Sequence, residues 1–221
     1  MRRWLGRRKH DEQPRDWAAL QLEARGIRDP RVLNAMRAVP RERFVPMDLQ
    51  RLAYEDGALP IGHGQTISQP YIVAVMTQAL ALPTGTPKVL DVGTGSGYQA
   101  AVLAQMGATV ISIEREPALA ETARNLLQEL GYDVRVLVGD GSGGVPEEAP
   151  FDGIIVGAAS PEVPVPLVEQ LRPAGRLVIP IGSRSEQVIT LVQRTDDGFT
   201  REPVEHAVFV PLLGEHGFAE R

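Results

Sequence analysis

The residues KVLDVGTGSGYQ at positions 88–99 decide the fold of this chain. The mostly apolar run at 89–92 is typical of a strand buried on both faces of a sheet. Gly93, Gly95 and Gly97 follow it, and glycine both tolerates positive φ and lets a ligand approach bare backbone. An apolar helical pattern comes next, so helix amides and the positive end of a helix dipole face the turn. The stretch therefore predicts a site for a polar or anionic ligand.

Beyond this turn the strand and helix patterns alternate, which predicts right-handed crossovers and a doubly wound, mostly parallel α/β sheet. The candidate strands lie at 89–92, 109–113, 134–138, 151–156, 176–180, 187–193 and near 205–210. The main helices between them are expected at 100–106, 117–130 and 166–171. Because only the turn at 195–198 separates the last two strands, we expect an antiparallel pair at the far edge.

Helical patterns also precede the sheet. The first begins at Asp16 and ends at Gly26, and the second has Asp29 as its N-cap and stops at Pro40. A loop rich in Gly and Pro at 57–69 then leads into a third helix at 70–80.

The composition limits the function classes. With 221 residues and 43% hydrophobic content, the chain can bury one full α/β core. The absence of cysteine excludes disulfides, thiolate metal sites and a cysteine nucleophile, and it favours the cytoplasm. No apolar run is long enough for a membrane span or a signal peptide, and a net charge of −5 gives no basic field for nucleic acid. We therefore expect a cytoplasmic protein without membrane or nucleic-acid partners.

Several ligands could suit the glycine turn. A phosphate-binding P-loop is excluded because it needs a lysine at its end, and the only lysines are Lys9 and Lys88. Glu114 ends the second strand about 20 residues past the turn, where its carboxylate can accept both hydroxyls of a ribose. That position agrees with a methyl donor or a nicotinamide cofactor. Asp140, at the end of the third strand, fits a ligand contact and a turn-forming Asp-Gly pair equally well.

The G-x-G-x-G spacing resembles the first motif of class I methyltransferases that bind S-adenosylmethionine. The segment LPIGHGQTISQPY at 59–71 looks like the signature of the protein-L-isoaspartate O-methyltransferases, a family of protein-repair enzymes. Further matching blocks are ARGIRD at 24–29, MRAVPRERFVP at 36–46, VGTGSGYQ at 92–99 and FVPL at 209–212. The resemblance covers residues 20–214 in the right order.

The resemblance implies transfer of a methyl group from S-adenosylmethionine to the α-carboxylate of L-isoaspartyl residues in damaged proteins and peptides. The other product is S-adenosylhomocysteine, and the methyl ester closes to a succinimide that hydrolyses partly to aspartate. By similarity Ser68 is the catalytic residue. The implied cofactor-binding residues are Gln65, Thr66, Ile67, Ser68, Asp91, Gly93, Gly95, Gly97, Glu114, Asp140 and Gly141.

The resemblance also suggests how the chain divides. We expect a single methyltransferase domain over 16–221, with the N-terminal helices and active-site loop in 16–87 and the cofactor-binding sheet in 88–214. The remaining segments are a tail at 215–221 and a basic tail at 1–15, expected to be disordered. The basic residues of that tail are Arg2, Arg3, Arg7, Arg8 and Lys9.

The chemistry of these residues is compatible with that reaction. The substrate carboxylate is deprotonated at neutral pH and is itself the nucleophile, so the reaction needs positioning more than a base. We therefore interpret His63 as an ordinary loop histidine. Ser68 also stands where it could cap the helix at 70–80. Val73 and the segment 210–213 are candidate peptide contacts by similarity only.

The other histidines, His10, His206 and His216, are scattered, and we expect no metal site. The pattern does not indicate an oligomeric state.

Two alternative functions compete with this interpretation. The first is a nucleic-acid methyltransferase. Amino-directed DNA methyltransferases of this fold carry an Asn- or Asp-Pro-Pro-aromatic motif after the fourth strand, and this chain lacks the motif because it reads GAASP at 157–161. Cytosine C5 methylation needs a cysteine nucleophile, which the chain lacks. A non-catalytic relative that binds the cofactor stays open as the second alternative.

Overall fold

The structure is a computed structural model that describes residues 17–219. The predicted basic tail at 1–15 and His10 lie outside the described residues. The helices are α1 (Trp17–Gln21), α2 (Pro30–Ala38), α3 (Pro70–Leu80), α4 (Tyr98–Gln105), α5 (Pro117–Glu129) and α6 (Val165–Glu169). The strands are β1 (Leu59–Gly62), β2 (Gln65–Ile67), β3 (Lys88–Val92), β4 (Thr109–Glu114), β5 (Val134–Val138), β6 (Phe151–Val156), β7 (Leu171–Gly182), β8 (Gln187–Thr195) and β9 (Gly198–Ala207).

Strands β3 to β9 form one sheet in the order β5-β4-β3-β6-β7-β8-β9. The strands from β5 to β7 in this order run parallel, whereas β8 is antiparallel to both of its neighbours, β7 and β9. The predicted doubly wound α/β sheet with an antiparallel edge is confirmed. The chain moves outward from β3 through β4 to β5 and then returns to the other side of β3 with β6. Ligands bind at such a switch point, beyond the carboxyl ends of the strands.

Two apolar layers cover the sheet, and successive residues of β3 point into opposite layers. Val89 joins the layer that contains buried residues of α1 to α5, while Leu90 joins the layer that contains α6. By the same alternation Asp91 lies on the α1 to α5 side. The strand that carries the glycine turn is therefore buried on both faces, as its apolar run predicts.

The predicted N-cap of α2 is confirmed, because the Asp29 side chain accepts a hydrogen bond from the Arg31 amide at 2.8 Å. The predicted cap of α3 is wrong. Gln69 occupies the N-cap position, with ψ of 141° and no side-chain cap. Ser68 stands one residue too early to cap this helix.

Two strand predictions need correction. The predicted loop at 57–69 contains the antiparallel hairpin β1–β2, whose strands of four and three residues are too short to show an alternating pattern. The last strand, predicted near 205–210, is β9 at Gly198–Ala207. β9 is a mostly exposed edge strand, so its sequence needs no apolar run.

Candidate active site

The glycine turn brings two backbone segments together at the carboxyl edge of the sheet. The Gly93 amide donates to the Ile113 carbonyl and the Gly157 amide donates to the Val92 carbonyl, both at 2.8 Å. Gly93 has φ of 87°, and a Cβ on Gly157 would lie 3.2 Å from the Gly93 carbonyl oxygen. Side chains are thus disfavoured at both positions, and the turn presents bare backbone.

Three adjacent cavities open at this edge, with volumes of about 480, 610 and 560 Å³. We call them the first, second and third cavity. All three share Thr66 and Gly157 in their walls. The first is lined by residues that include Ser68, Asp91, Ser96, Tyr98 and Gln99. The second includes Glu114, Arg115, Gly141 and Ala158 with the segment 210–213. The third includes Ser68, Gln69 and Ile72 with the segment 206–210.

Asp91 is a buried carboxylic acid at the wall of the first cavity. Its Oδ2 accepts a hydrogen bond from the Ser112 hydroxyl at 2.7 Å, and the Ser112 oxygen lies 2.6 Å from the Thr94 hydroxyl. Oδ1 is buried and has no hydrogen-bond partner within residues 17–219. Burial raises the pKa of Asp91 to about 7; the Ser112 hydrogen bond opposes this, and the charge of Glu114 adds to it. Asp91 therefore has one oxygen ready to pair with a donor or a cation.

Glu114 stands at the end of β4, on the wall of the second cavity, and is 7% exposed. Its Oε2 accepts from the Gly95 amide at 2.9 Å and its Oε1 accepts from the Glu116 amide at 3.0 Å. These bonds fix the carboxylate against the glycine turn, while each oxygen keeps a second acceptor position. That arrangement suits a ligand with two neighbouring hydroxyl groups.

The β1–β2 hairpin lies next to the glycine turn and contributes Gln65, Thr66 and Ile67 to the cavity walls. On its first strand, the Ile61 Cδ1 atom lies 3.4 Å from the position of a Cβ on Gly95, in ordinary van der Waals contact. At the tip, the His63 Nδ1 atom is 3.8 Å from Glu116 Oε1. His63 does not line the three cavities, which agrees with its interpretation as a loop histidine.

Ser68 is half-buried between β2 and α3 and lines both the first and the third cavity. Its carbonyl oxygen accepts a hydrogen bond from Arg41 Nη2 at 2.7 Å. Its hydroxyl forms no hydrogen bond with the part of the chain that the structure describes. The hydroxyl is therefore available to a ligand where the two cavities meet.

Asp140 holds the C-terminal segment against the site. Its Oδ1 accepts from the Ser142 amide at 2.8 Å and its Oδ2 from the Glu215 amide at 2.9 Å. Partial burial raises the pKa of Asp140, but the hydrogen bonds from the Glu215 and Ser142 amides outweigh it and hold the pKa below its ordinary value. The segment 210–213, just before this attachment, closes the second cavity.

Most of the predicted site residues surround these cavities. The residues that line them are Gln65, Thr66, Ile67, Ser68, Asp91, Gly93, Gly95, Glu114 and Gly141. Gly97 and Asp140 do not line them. Gly97 has φ of 89° and packs on α5, where its Cβ would lie 3.2 Å from Leu127 Cδ1. The binding roles of all these residues stay predictions.

Sequence reasoning missed several residues of the cavity walls, among them Arg115, Gly157, Ala158 and Phe209. Gly157 could have been found, because it follows β6 and parallel strands bring their carboxyl ends to one edge. Phe209 belongs to the matching block at 209–212, but it was placed inside the strand predicted near 205–210, whereas the observed strand ends at Ala207. Among residues 17–219 no helix is long and apolar enough to cross a membrane, and no cluster of acidic or histidine side chains could hold a metal ion.

Comparisons with a family model, with curated sequences and with solved structures all lead to the same protein family. The model of the family described as protein-L-isoaspartate(D-aspartate) O-methyltransferase matches residues 18–217. A protein-L-isoaspartate O-methyltransferase of Methanoculleus marisnigri is 52% identical over 199 residues, which cover 90% of each chain.

Two solved structures extend the comparison. A protein-L-isoaspartate O-methyltransferase has a TM-score of 0.81 and 29% identity over 91% of this chain, which spans 66% of that longer chain. A Plasmodium falciparum protein, described as a candidate member of the same enzyme class and solved with S-adenosyl-L-homocysteine, has a TM-score of 0.77 and 27% identity. That match covers 91% of this chain and 99% of the other.

Proposed function

Since the chain belongs to the protein-L-isoaspartate(D-aspartate) O-methyltransferase family, we infer that it transfers a methyl group from S-adenosylmethionine to L-isoaspartyl residues of damaged proteins and peptides. The predictions of family, enzyme class and cofactor are confirmed. The roles of the individual residues of the site are part of the proposal.

The first and second cavities fit S-adenosylmethionine. Asp91 Oδ1, which is buried and unpaired within the described residues, suits the cationic amino acid end of the cofactor. The fixed carboxylate of Glu114 suits the two ribose hydroxyls, and the wall formed by Ala158, Val210 and Leu212 suits the flat face of the adenine ring. When bound, the cofactor supplies an electrophilic methyl group on its sulfonium. The bare backbone of Gly93 and Gly95 allows close approach.

The third cavity is proposed to bind the isoaspartyl peptide. It meets the first cavity at Ser68, so a carboxylate in the third cavity can reach the wall of the first. The Ser68 hydroxyl donates to that carboxylate and orients it, and the amino end of α3 adds a favourable dipole. No side chain has to remove a proton, because the substrate carboxylate is already ionised at neutral pH. These residues act by orientation.

One observation carries this assignment: Ser68, with its hydroxyl available, lies where the cavity that contains Asp91 meets the cavity lined by 206–210. The test supplies methyl-labelled S-adenosylmethionine with an isoaspartyl peptide and with the aspartyl peptide of the same sequence. We expect base-labile methyl incorporation into the first peptide only. Incorporation into neither peptide would exclude the repair activity.

The cellular setting is also a proposal. We propose that the chain acts in the cytoplasm, which its lack of cysteine supports. We also propose that residues 16–221 form one methyltransferase domain, since buried residues of α1, α2 and α3 belong to the same apolar layer as Val89 of the sheet.

A further inference from the structure

Arg41 is a fully buried cation beside the active-site loop. It lies in the 3₁₀ turn Arg41–Phe44, which follows α2, and its relative exposure is 0%. Neither the cavities nor the cofactor assignment explains why the chain buries an arginine there. We propose that Arg41 is a positioning residue that fixes Ser68 relative to the cofactor cavity. This inference rests on the proposed role of Ser68.

The contacts of Arg41 join three separate parts of the chain. Its Nε donates to the Ala53 carbonyl at 2.6 Å and its Nη2 donates to the Ser68 carbonyl at 2.7 Å. Its Cζ lies 4.8 Å from the centroid of the Tyr98 ring, the first residue of α4. Because guanidinium nitrogens lie in a rigid plane, fixing one bond restricts the direction of the other.

The burial of this cation lowers the stability of the fold, whatever role the cation has. Within residues 17–219 Arg41 forms no ion pair, and its Nη1 is buried without a hydrogen-bond partner. The neighbouring carboxylate of Glu42 instead accepts a bond from the Tyr54 hydroxyl. A buried charge that lacks an ion pair and some of its hydrogen bonds destabilises a protein by roughly several kcal/mol. A neutral side chain would therefore suit a purely structural role better.

The contact with Ser68 explains what the cation provides. Ser68 lies between β2 and α3 and belongs to neither element, so sheet and helix hydrogen bonds do not fix it. A bond to its carbonyl oxygen fixes the adjoining peptide plane and with it the position of the Ser68 Cα, from which the side chain projects. Tyr98 lines the first cavity together with Ser68. The Arg41 guanidinium thus sets the distance between Ser68 and Tyr98 across the first cavity. Displacement of a reacting group by about 1 Å can lower turnover on the order of 100-fold.

The experiment compares Arg41→Met, which removes the charge and the planar set of guanidinium donors, with Arg41→Lys, which keeps the charge. A matched control is Val32→Ala, a fully buried position of α2 that does not line the three cavities. We expect Arg41→Met to lower kcat with the isoaspartyl peptide by about 100-fold, with the KM for S-adenosylmethionine changed less than about threefold. Arg41→Lys should recover part of the lost kcat. The control should lower the melting temperature and leave kcat unchanged.

Hydrogen exchange gives a readout that does not depend on activity. In Arg41→Met the amides of 65–69 should exchange faster, while those of β3 and β4 keep their protection. If kcat is unchanged in both variants, or if the loop amides keep their protection, the inference is wrong. A wild-type chain that methylates no isoaspartyl peptide would instead exclude the proposed function, and the exchange result would still test the contact.

Discussion

The two halves of the site are built differently. The cofactor half, formed by β3, β4 and the glycine turn, consists of central strands whose ends are tied by backbone hydrogen bonds, and its acids are buried. The proposed substrate half is formed by Ser68 and the third cavity, beside the β1–β2 hairpin, which borders both halves and has short strands. It is held by single contacts such as those of Arg41 and His63. A rigid half suits a constant cofactor, and a lightly held half suits substrates that differ in sequence.

The largest expected effect is a loss of kcat on substitution of Ser68, with the affinity for the cofactor product retained. Ser68→Ala should lower kcat on the order of 100-fold, because the substrate carboxylate loses its orienting donor. Affinity for S-adenosylhomocysteine, measured by calorimetry, should stay within about threefold because Asp91 and Glu114 are unchanged. Ser183→Ala, which removes a hydroxyl from an exposed loop, is the matched control. Equal losses of kcat and of cofactor affinity would show that the halves are not separable.

A smaller effect concerns pH and tests whether the cofactor half uses the buried acid. The pKa of Asp91 is raised to about 7, so below that pH the carboxyl is protonated and must lose its proton to pair with a cationic amino group. Affinity for S-adenosylhomocysteine should therefore fall by up to about tenfold for each pH unit below 7. Asp91→Asn should bind weakly and lose this dependence. Asp152→Asn, which alters an acid of β6 outside the three cavities, should keep it.

The same acid has a consequence for the free energy of unfolding. In the unfolded chain Asp91 ionises near 3.8, whereas in the folded chain it stays neutral up to about pH 7. Its contribution to stability is thus complete below pH 3.8 and is lost as the pH rises to about 7. In urea titrations without cofactor, the wild type should lose stability relative to Asp91→Asn over this range. A constant difference between the two proteins would contradict the raised pKa.

The smallest expected effect concerns Gly97, and it tests whether this glycine supports the fold or contacts the ligand. Gly97 has φ of 89° and faces Leu127 of α5, so Gly97→Ala should lower the free energy of unfolding by about 1–3 kcal/mol. Affinity for S-adenosylhomocysteine should stay unchanged. Gly131→Ala has a similar φ of 80° but meets no atom within 4 Å, so the difference between the two variants isolates the contacts with Leu127 and Ala123 of α5. A selective loss of affinity in Gly97→Ala would assign this glycine to the ligand.

The sequence predicts the two halves unequally, and for a physical reason. Central parallel strands are buried on both faces, so β3 and the position of Glu114 are visible as apolar runs with fixed spacing. The β1–β2 hairpin was missed because its strands of four and three residues are too short to show a clear alternation of apolar and polar residues. The helix at 70–80 starts where it was predicted, so its N-cap position is Gln69, and the predicted cap at Ser68 was one residue too early. The bond from Arg41 to Ser68 spans 27 residues, and no local pattern predicts such a contact.

The attachment of the C-terminal segment by Asp140 also bears on how the protein is made. The wall of the second cavity combines Gln65, from the first third of the chain, with the segment 210–213 near its end. Synthesis proceeds from the amino terminus, so the strands and the glycine turn leave the ribosome before this wall is complete. With the second cavity as the proposed cofactor site, a nascent chain cannot enclose S-adenosylmethionine until the whole sheet has been translated. The cofactor is then expected to stabilise the finished fold without assisting its early steps.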